Sequence, residues 1–145
     1  MITTSELTKR FPFARFYPEW RLMTWNPTGV LDDKSADLVL EFMQLAEKAE
    51  PEPFNRFIDS TGFSSVEIGL AHVVRMARLR RRYRGPRVKS ALHAVGPTSR
   101  KIAQLYAELM GGSRIEVRTF TSRTEAAEWL GVPKQILLPP RQKPH

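Results

Sequence analysis

The stretch DSTGFSSVE, residues 59–67, sets four hydroxyl side chains, Ser60, Thr61, Ser64 and Ser65, around Gly62, with Asp59 and Glu67 at its ends. Hydroxyls at this density can accept a phosphate, hydrogen-bond a ligand or cap a helix. Ser64 and Glu67 have capping-box spacing, so Ser64 would satisfy a free amide at a helix start while Glu67 reaches back, worth about 1 kcal/mol. Asp59, at the end of an apolar run, would accept loop amides, and Gly62 would permit a positive φ. On that reading the stretch is a turn and a cap. The chemical reading rests on its place, because open α/β sheets bind ligands at the carboxyl ends of their strands. A helix start there also favours a phosphate through its free amides and dipole.

A second group is cationic. Residues 75–89 hold Arg75, Arg78, Arg80, Arg81, Arg82, Arg84, Arg87 and Lys89 with no acidic residue among them. The rest of the chain balances at 15 basic against 15 acidic residues, so the net charge of +8 is one local cluster. Arg75, Arg78 and Arg82 fall opposite Leu70, Val73 and Ala77 on a helical wheel, as a solvated face should; Arg80 and Arg84 continue the apolar face. Cations are also favoured at a helix carboxyl end. The alternative is a docking patch for an acidic partner, anionic lipid headgroups or nucleic acid. Only Tyr83 interleaves an aromatic ring with these charges, which argues against nucleic acid.

Other chemistries find no support. Cysteine is absent, which excludes disulfides, thiolate catalysis and cysteine-held zinc. His72 and His93 stand in different elements without metal-ligand spacing. Gly96-Pro97 and Gly111-Gly112 lack the Lys-Ser/Thr of a phosphate-cradling loop. With no nucleophile–base pair in view, the expectation is a protein without catalytic residues, metal or cofactor. The opening residues lack the apolar core of a signal peptide, and no run approaches the roughly 20 apolar residues of a membrane span. A cytoplasmic location is expected.

These residues need elements to hold them. WRLMTWN (20–26) reads as a strand, NPTG (26–29) as a turn, and Val30-Leu31 as a second strand pairing back on the first. Asp32, Asp33 and Ser35 offer caps for a helix carrying Leu38, Phe42, Leu45, Ala46 and Ala49, stopped by Pro51 and Pro53. FNRFI (54–58) is a short strand. A helix is predicted from residue 65 onward, on Val66, Leu70, Val73, Val74 and Ala77, closed by Gly85-Pro86. VKSALHAV (88–95) reads as an interior strand, followed by a helix capped by Thr98 or Ser99 and ended by Gly111-Gly112. IEVRTF (115–120) alternates as an edge strand should, and Ser122 and Glu125 open a last helix with Ala126, Ala127, Trp129 and Leu130. Residues 1–19 read as an arm, 20–132 as the domain and 133–145 as an extended proline-rich tail. Strands alternating with helices predict one α/β domain with four to five mostly parallel strands and about four helices.

The element order, together with TFTSRTEAAEWLG (119–131) and its Phe120, Glu125, Ala126, Trp129 and Leu130, resembles the SpoIIAA-like branch of the STAS superfamily over residues 20–132. Relatives that antagonise anti-sigma factors carry an Asp-Ser-Ser/Thr-Gly segment phosphorylated on its third residue. Asp59, Ser60, Thr61 and Gly62 match that segment, which implies Thr61 as phosphoacceptor, with Ser60 beside it. Here the segment starts directly at the strand end and is followed by Phe63-Ser64-Ser65, a departure from those antagonists. The resemblance implies a non-enzymatic regulatory or binding module with a protein partner, such as a kinase or an anti-sigma-like regulator. Two other readings stand beside it: an apolar pocket at the strand ends for a small or lipid-like ligand, and an anionic-surface binder using Arg75–Lys89.

Overall fold

Short runs of aromatic and aliphatic residues, punctuated by proline, glycine and helix caps, divide the described residues into seven strands and five α-helices. A computed structural model describes residues 2–140. In chain order these are α1 (Thr4–Arg10), β1 (Ala14–Tyr17), β2 (Leu22–Trp25), β3 (Gly29–Leu31), α2 (Asp33–Ala49), β4 (Asn55–Asp59), β5 (Phe63–Val66), α3 (Leu70–Arg80), β6 (Val88–His93), α4 (Pro97–Leu109), β7 (Ile115–Phe120) and α5 (Arg123–Leu130). Five strands form one sheet in the order β1-β2-β4-β6-β7, antiparallel at β1 and parallel elsewhere. The fold is therefore the α/β class expected.

Alternation along the strands sends side chains to two cores. On one face Met23 and Trp25 pack with Leu7 of α1 and with Phe42, Met43 and Ala46 of α2. On the other, Leu22, Phe57 and Ala91 meet Ala126, Ala127 and Leu130 of α5. Helix starts follow local chemistry: Asp32 and Ser35 form a reciprocal capping box for α2, and Ser122 accepts the Glu125 amide at α5. Leu38, read on the apolar face of α2, instead lies exposed.

The structure corrects several expectations. The expected arm, 1–19, is not one over its described residues 2–19: α1 and the edge strand β1 belong to the fold, and Leu7 and Ala14 are buried. Thr3 caps α1 through the Glu6 amide, a local signal obscured by the prolines and aromatics around it. Val30-Leu31 does not pair back on β2; β3 pairs in parallel with β5 as a separate two-stranded sheet. Residues 63–66 are consequently strand, and α3 begins only at Leu70 behind Gly69, without a side-chain cap. Helix α4 is opened by Gly96 and Pro97, not by Thr98 or Ser99. The tail is in part folded, since Lys134–Leu137 form a 3₁₀ turn that buries Leu137 against α5. Residues 141–145 of that tail lie outside the described residues. Among the described residues, no helix is long and apolar enough to cross a membrane.

The placement of Leu7 separates an arm from an integral helix. Leu7→Ala should cost about 2–5 kcal/mol, the range for truncating a core leucine. Urea unfolding measures it; an unchanged midpoint would return α1 to the status of an arm.

Candidate functional site

The parallel register brings the site together. Trp25 lies opposite Ile58, so Asn26 follows at the level of Asp59; Asp59 in turn lies opposite His93, and His93 opposite Phe120. Three residues beyond Phe120, Arg123 opens α5. Asn26, Asp59, His93 and Arg123 thus converge from four separate segments at the carboxyl ends of the strands.

Asp59 is their centre, 1% exposed, and its carboxylate accepts five hydrogen bonds. Oδ1 accepts from the Thr61 amide at 3.0 Å, the Thr61 hydroxyl at 2.6 Å and His93 Nδ1 at 3.2 Å. Oδ2 accepts from Asn26 Nδ2 at 3.1 Å and Arg123 Nη2 at 2.8 Å. The same guanidinium nitrogen also reaches Thr61 Oγ1 at 3.0 Å. Burial pushes the Asp59 carboxyl up, but the bonds from His93, Thr61 and Arg123 outweigh it and hold the group well below the usual carboxylate range. A carboxylate is acceptor-only, so His93 must carry its proton on Nδ1 in this pairing. Its ring stacks on Phe57, with centroids 6.2 Å apart.

Beside this knot lies an open polar cleft of about 600 Å³, lined by Thr61, His93, Ser99, Ser122, Arg123 and Lys134 among others. With His93 Nδ1 turned to Asp59, Nε2 has no hydrogen-bond partner among the described residues. The cleft therefore offers an imidazole nitrogen, two cations and several hydroxyls to whatever enters it. Such a lining suits a group that is anionic and rich in acceptors.

The residues singled out from sequence divide sharply. Asp59, Ser60, Thr61 and Gly62 are brought together, with Ser60–Gly62 forming a 3₁₀ turn capped by Asp59. Thr61 is exposed. Ser64 caps no helix; its hydroxyl donates to the Gly29 carbonyl at 3.1 Å and ties β5 to β3. Gly62 has no positive φ; a Cβ there would stand 2.5 Å from the Pro27 carbonyl oxygen, so close approach of two loops requires the glycine. His93 and Arg123 went unremarked as site members. The available signal was their position: one ends an interior strand, the other begins a helix at the same sheet edge.

The arginine cluster is not one patch. Arg75, Arg78, Arg81, Arg82, Arg84 and Arg87 are exposed, although Arg81 Nη1 donates to the carbonyls of Leu109 and Gly111. Arg80 is buried, paired to Glu47 of α2. Lys89 is on the α5 side of the sheet, where Nζ donates to the Trp129 carbonyl at 2.9 Å. His72 is buried as well, with Nε2 2.7 Å from Asp37 Oδ1. Among the described residues no group of three or more His, Asp or Glu is placed to hold a metal ion.

Compared with known proteins, the chain matches no protein-family model, no curated protein and no solved structure.

Two outcomes follow from this geometry. The lowered Asp59 pKa stabilises the fold above the ordinary carboxylate range and the benefit is lost as pH falls below about 4. Urea midpoints of the wild type and Asp59→Asn should therefore stand apart at pH 7 and converge on acidification; a constant gap would show that the charge of Asp59 is not what matters. Gly62→Ala should destabilise by about 1–3 kcal/mol, the usual cost of forcing atoms into a filled space. Thermal unfolding measures it, and an unaltered melting temperature would mean that the two loops are free to separate.

Proposed function

We propose that this protein is a non-enzymatic regulatory or binding module, similar to the STAS and SpoIIAA-like proteins, that acts by protein contact through the loop 59–65 and the cleft beside it. One observation carries the reading: the exposed residue Thr61 places its hydroxyl within hydrogen-bond distance of both a buried carboxylate and the guanidinium that neutralises it. Phosphorylation of Thr61 would remove its O–H donor from Asp59 and add about −2 charges beside that carboxylate. Repulsion would drive the phosphate from Asp59, while Arg123 would be drawn from the carboxylate to the phosphate. Arg123 therefore has two competing anionic partners, and the exchange changes the shape and charge that the loop presents.

The five donors on Asp59 support a holding role for it, since its lone pairs are already engaged. Ser60, half-buried in the same turn, is the second candidate acceptor. A kinase and a protein that reads the loop are the partners this requires. The exposed arginines of the 75–87 segment support an anionic-surface role less well, because Arg80 and Lys89 are turned to internal partners.

Phosphosite mapping on protein from its native cells tests the switch directly. Cleavage after Arg56 and Arg75 releases one peptide, Phe57–Arg75, that holds all four hydroxyls of the loop. Phosphate is expected on Thr61, and Thr61→Glu should change the affinity of the captured partner by about tenfold or more, while Thr61→Ser keeps the wild-type value. A fully sampled peptide free of phosphate in growing and stressed cells, with capture indifferent to Thr61→Glu, would defeat the proposal.

A further inference from the structure

Between α2, α3, α4 and the sheet lies an apolar cavity of about 130 Å³. Leu40, Met43 and Leu92 stand in its wall with other aliphatic residues, and its polar members include Arg80, Ser90 and Tyr106. At the strand ends it approaches the polar cleft, for Ser60, Phe63 and Ser99 line both spaces.

Arg80 is a costly residue to find in such a wall. It is 3% exposed, and beside it Arg56 is 1% exposed. Both guanidinium groups bind one carboxylate, Glu47, with Arg80 Nη1 at 3.0 Å from Oε1 and Arg56 Nη2 at 2.7 Å from Oε2. Two buried cations thus share a single anion. Tyr83 contributes a ring within cation–π range of both, but no charge, and Tyr106 is neutral with its phenol pushed up by burial. Arg80 Nε and Arg56 Nη1 find no hydrogen-bond partner among the described residues. A buried charge without its full set of partners is destabilising, and with two cations on one carboxylate this cluster is electrostatically one anion short.

From the cavity and this deficit together we infer that the space binds a small apolar monocarboxylate, its acid group on Arg80 and its hydrocarbon body among the aliphatic side chains. The carboxylate accepts from the unpartnered Nε of Arg80 and brings the cluster the negative charge it lacks. A cavity near 150 Å³ holds a benzene ring, so an acid of about six carbons in all suits this one. The acid-binding end at Arg80 lies outside the cleft of the proposed switch, although the two spaces share the Ser60, Phe63 and Ser99 wall, and acid binding does not require Thr61 to be phosphorylated.

Hexanoate, hexanol and hexylamine at neutral pH form the test, titrated into the 145-residue chain with methionine methyl groups observed by NMR. Hexanoate should bind saturably and shift the methyls of Met43 and Met76, hexanol should bind about tenfold more weakly or worse, and hexylammonium should not bind. Ala103→Leu, which adds bulk to the cavity wall and keeps Arg80, should abolish the hexanoate shifts. Equal affinity for hexanoate and hexanol would overturn the acid-recognition role of Arg80. No saturation below ~10 mM would overturn the site itself, as would binding that survives Ala103→Leu. Saturable hexanoate binding that leaves the Met43 and Met76 methyls unshifted would put the acid outside the cavity and likewise overturn the inference.

Discussion

A carboxylate taken out of water must be surrounded by donors, and Asp59 shows how much of a small fold that requirement can organise. Its partners come from the turn after β2, its own loop, the end of β6 and the start of α5. Asn26 and His93 could not reach Asp59 if the parallel strands slipped by one residue, because side chains alternate faces. The charge therefore ties strand register, loop shape and the docking of α5 to one point. Gly62 adds to the constraint by letting the loop lie against the Pro27 carbonyl.

The other face of the sheet carries a second buried charge group, of opposite balance. There the carboxylate is in the minority, one glutamate against two arginines, and aromatic rings stand where a second anion would: Arg56 lies 4.7 Å from the Phe54 ring centroid and 5.5 Å from that of Tyr83. Asp59 is fully provided with donors, whereas the arginines are short of an acceptor. This contrast sets the chemical character of the two spaces, one polar and open, the other apolar with a cation in its wall.

Much of the architecture was legible from local chemistry. Asp32 with Ser35, and Ser122 with Glu125, marked helix starts because caps are decided within a few residues. Interior strands such as VKSALH declared themselves by small and apolar content. The failures share a cause, which is competition from partners distant in sequence. Ser64 and Glu67 have the spacing of a cap, but residues 63–66 are captured as a strand by Gly29–Leu31, more than thirty positions earlier. His93 looked isolated because its pairing with Asp59 depends on parallel register, which no spacing encodes. Arg80 did leave a trace: a charge on the apolar face of a helix calls for a buried counter-charge, and Glu47 supplies it from α2.

Ser60, Phe63 and Ser99 form a common partition between the polar cleft and the apolar cavity. A partition shared in this way makes the two spaces energetically reciprocal: if occupancy of one moves it, the affinities on both sides change by the same factor, in either order of binding. Small displacements suffice, because packed interiors transmit strain and do not absorb it. Phe63 is the residue through which such reciprocity would pass, as it follows the Ser60–Gly62 turn directly and also begins β5.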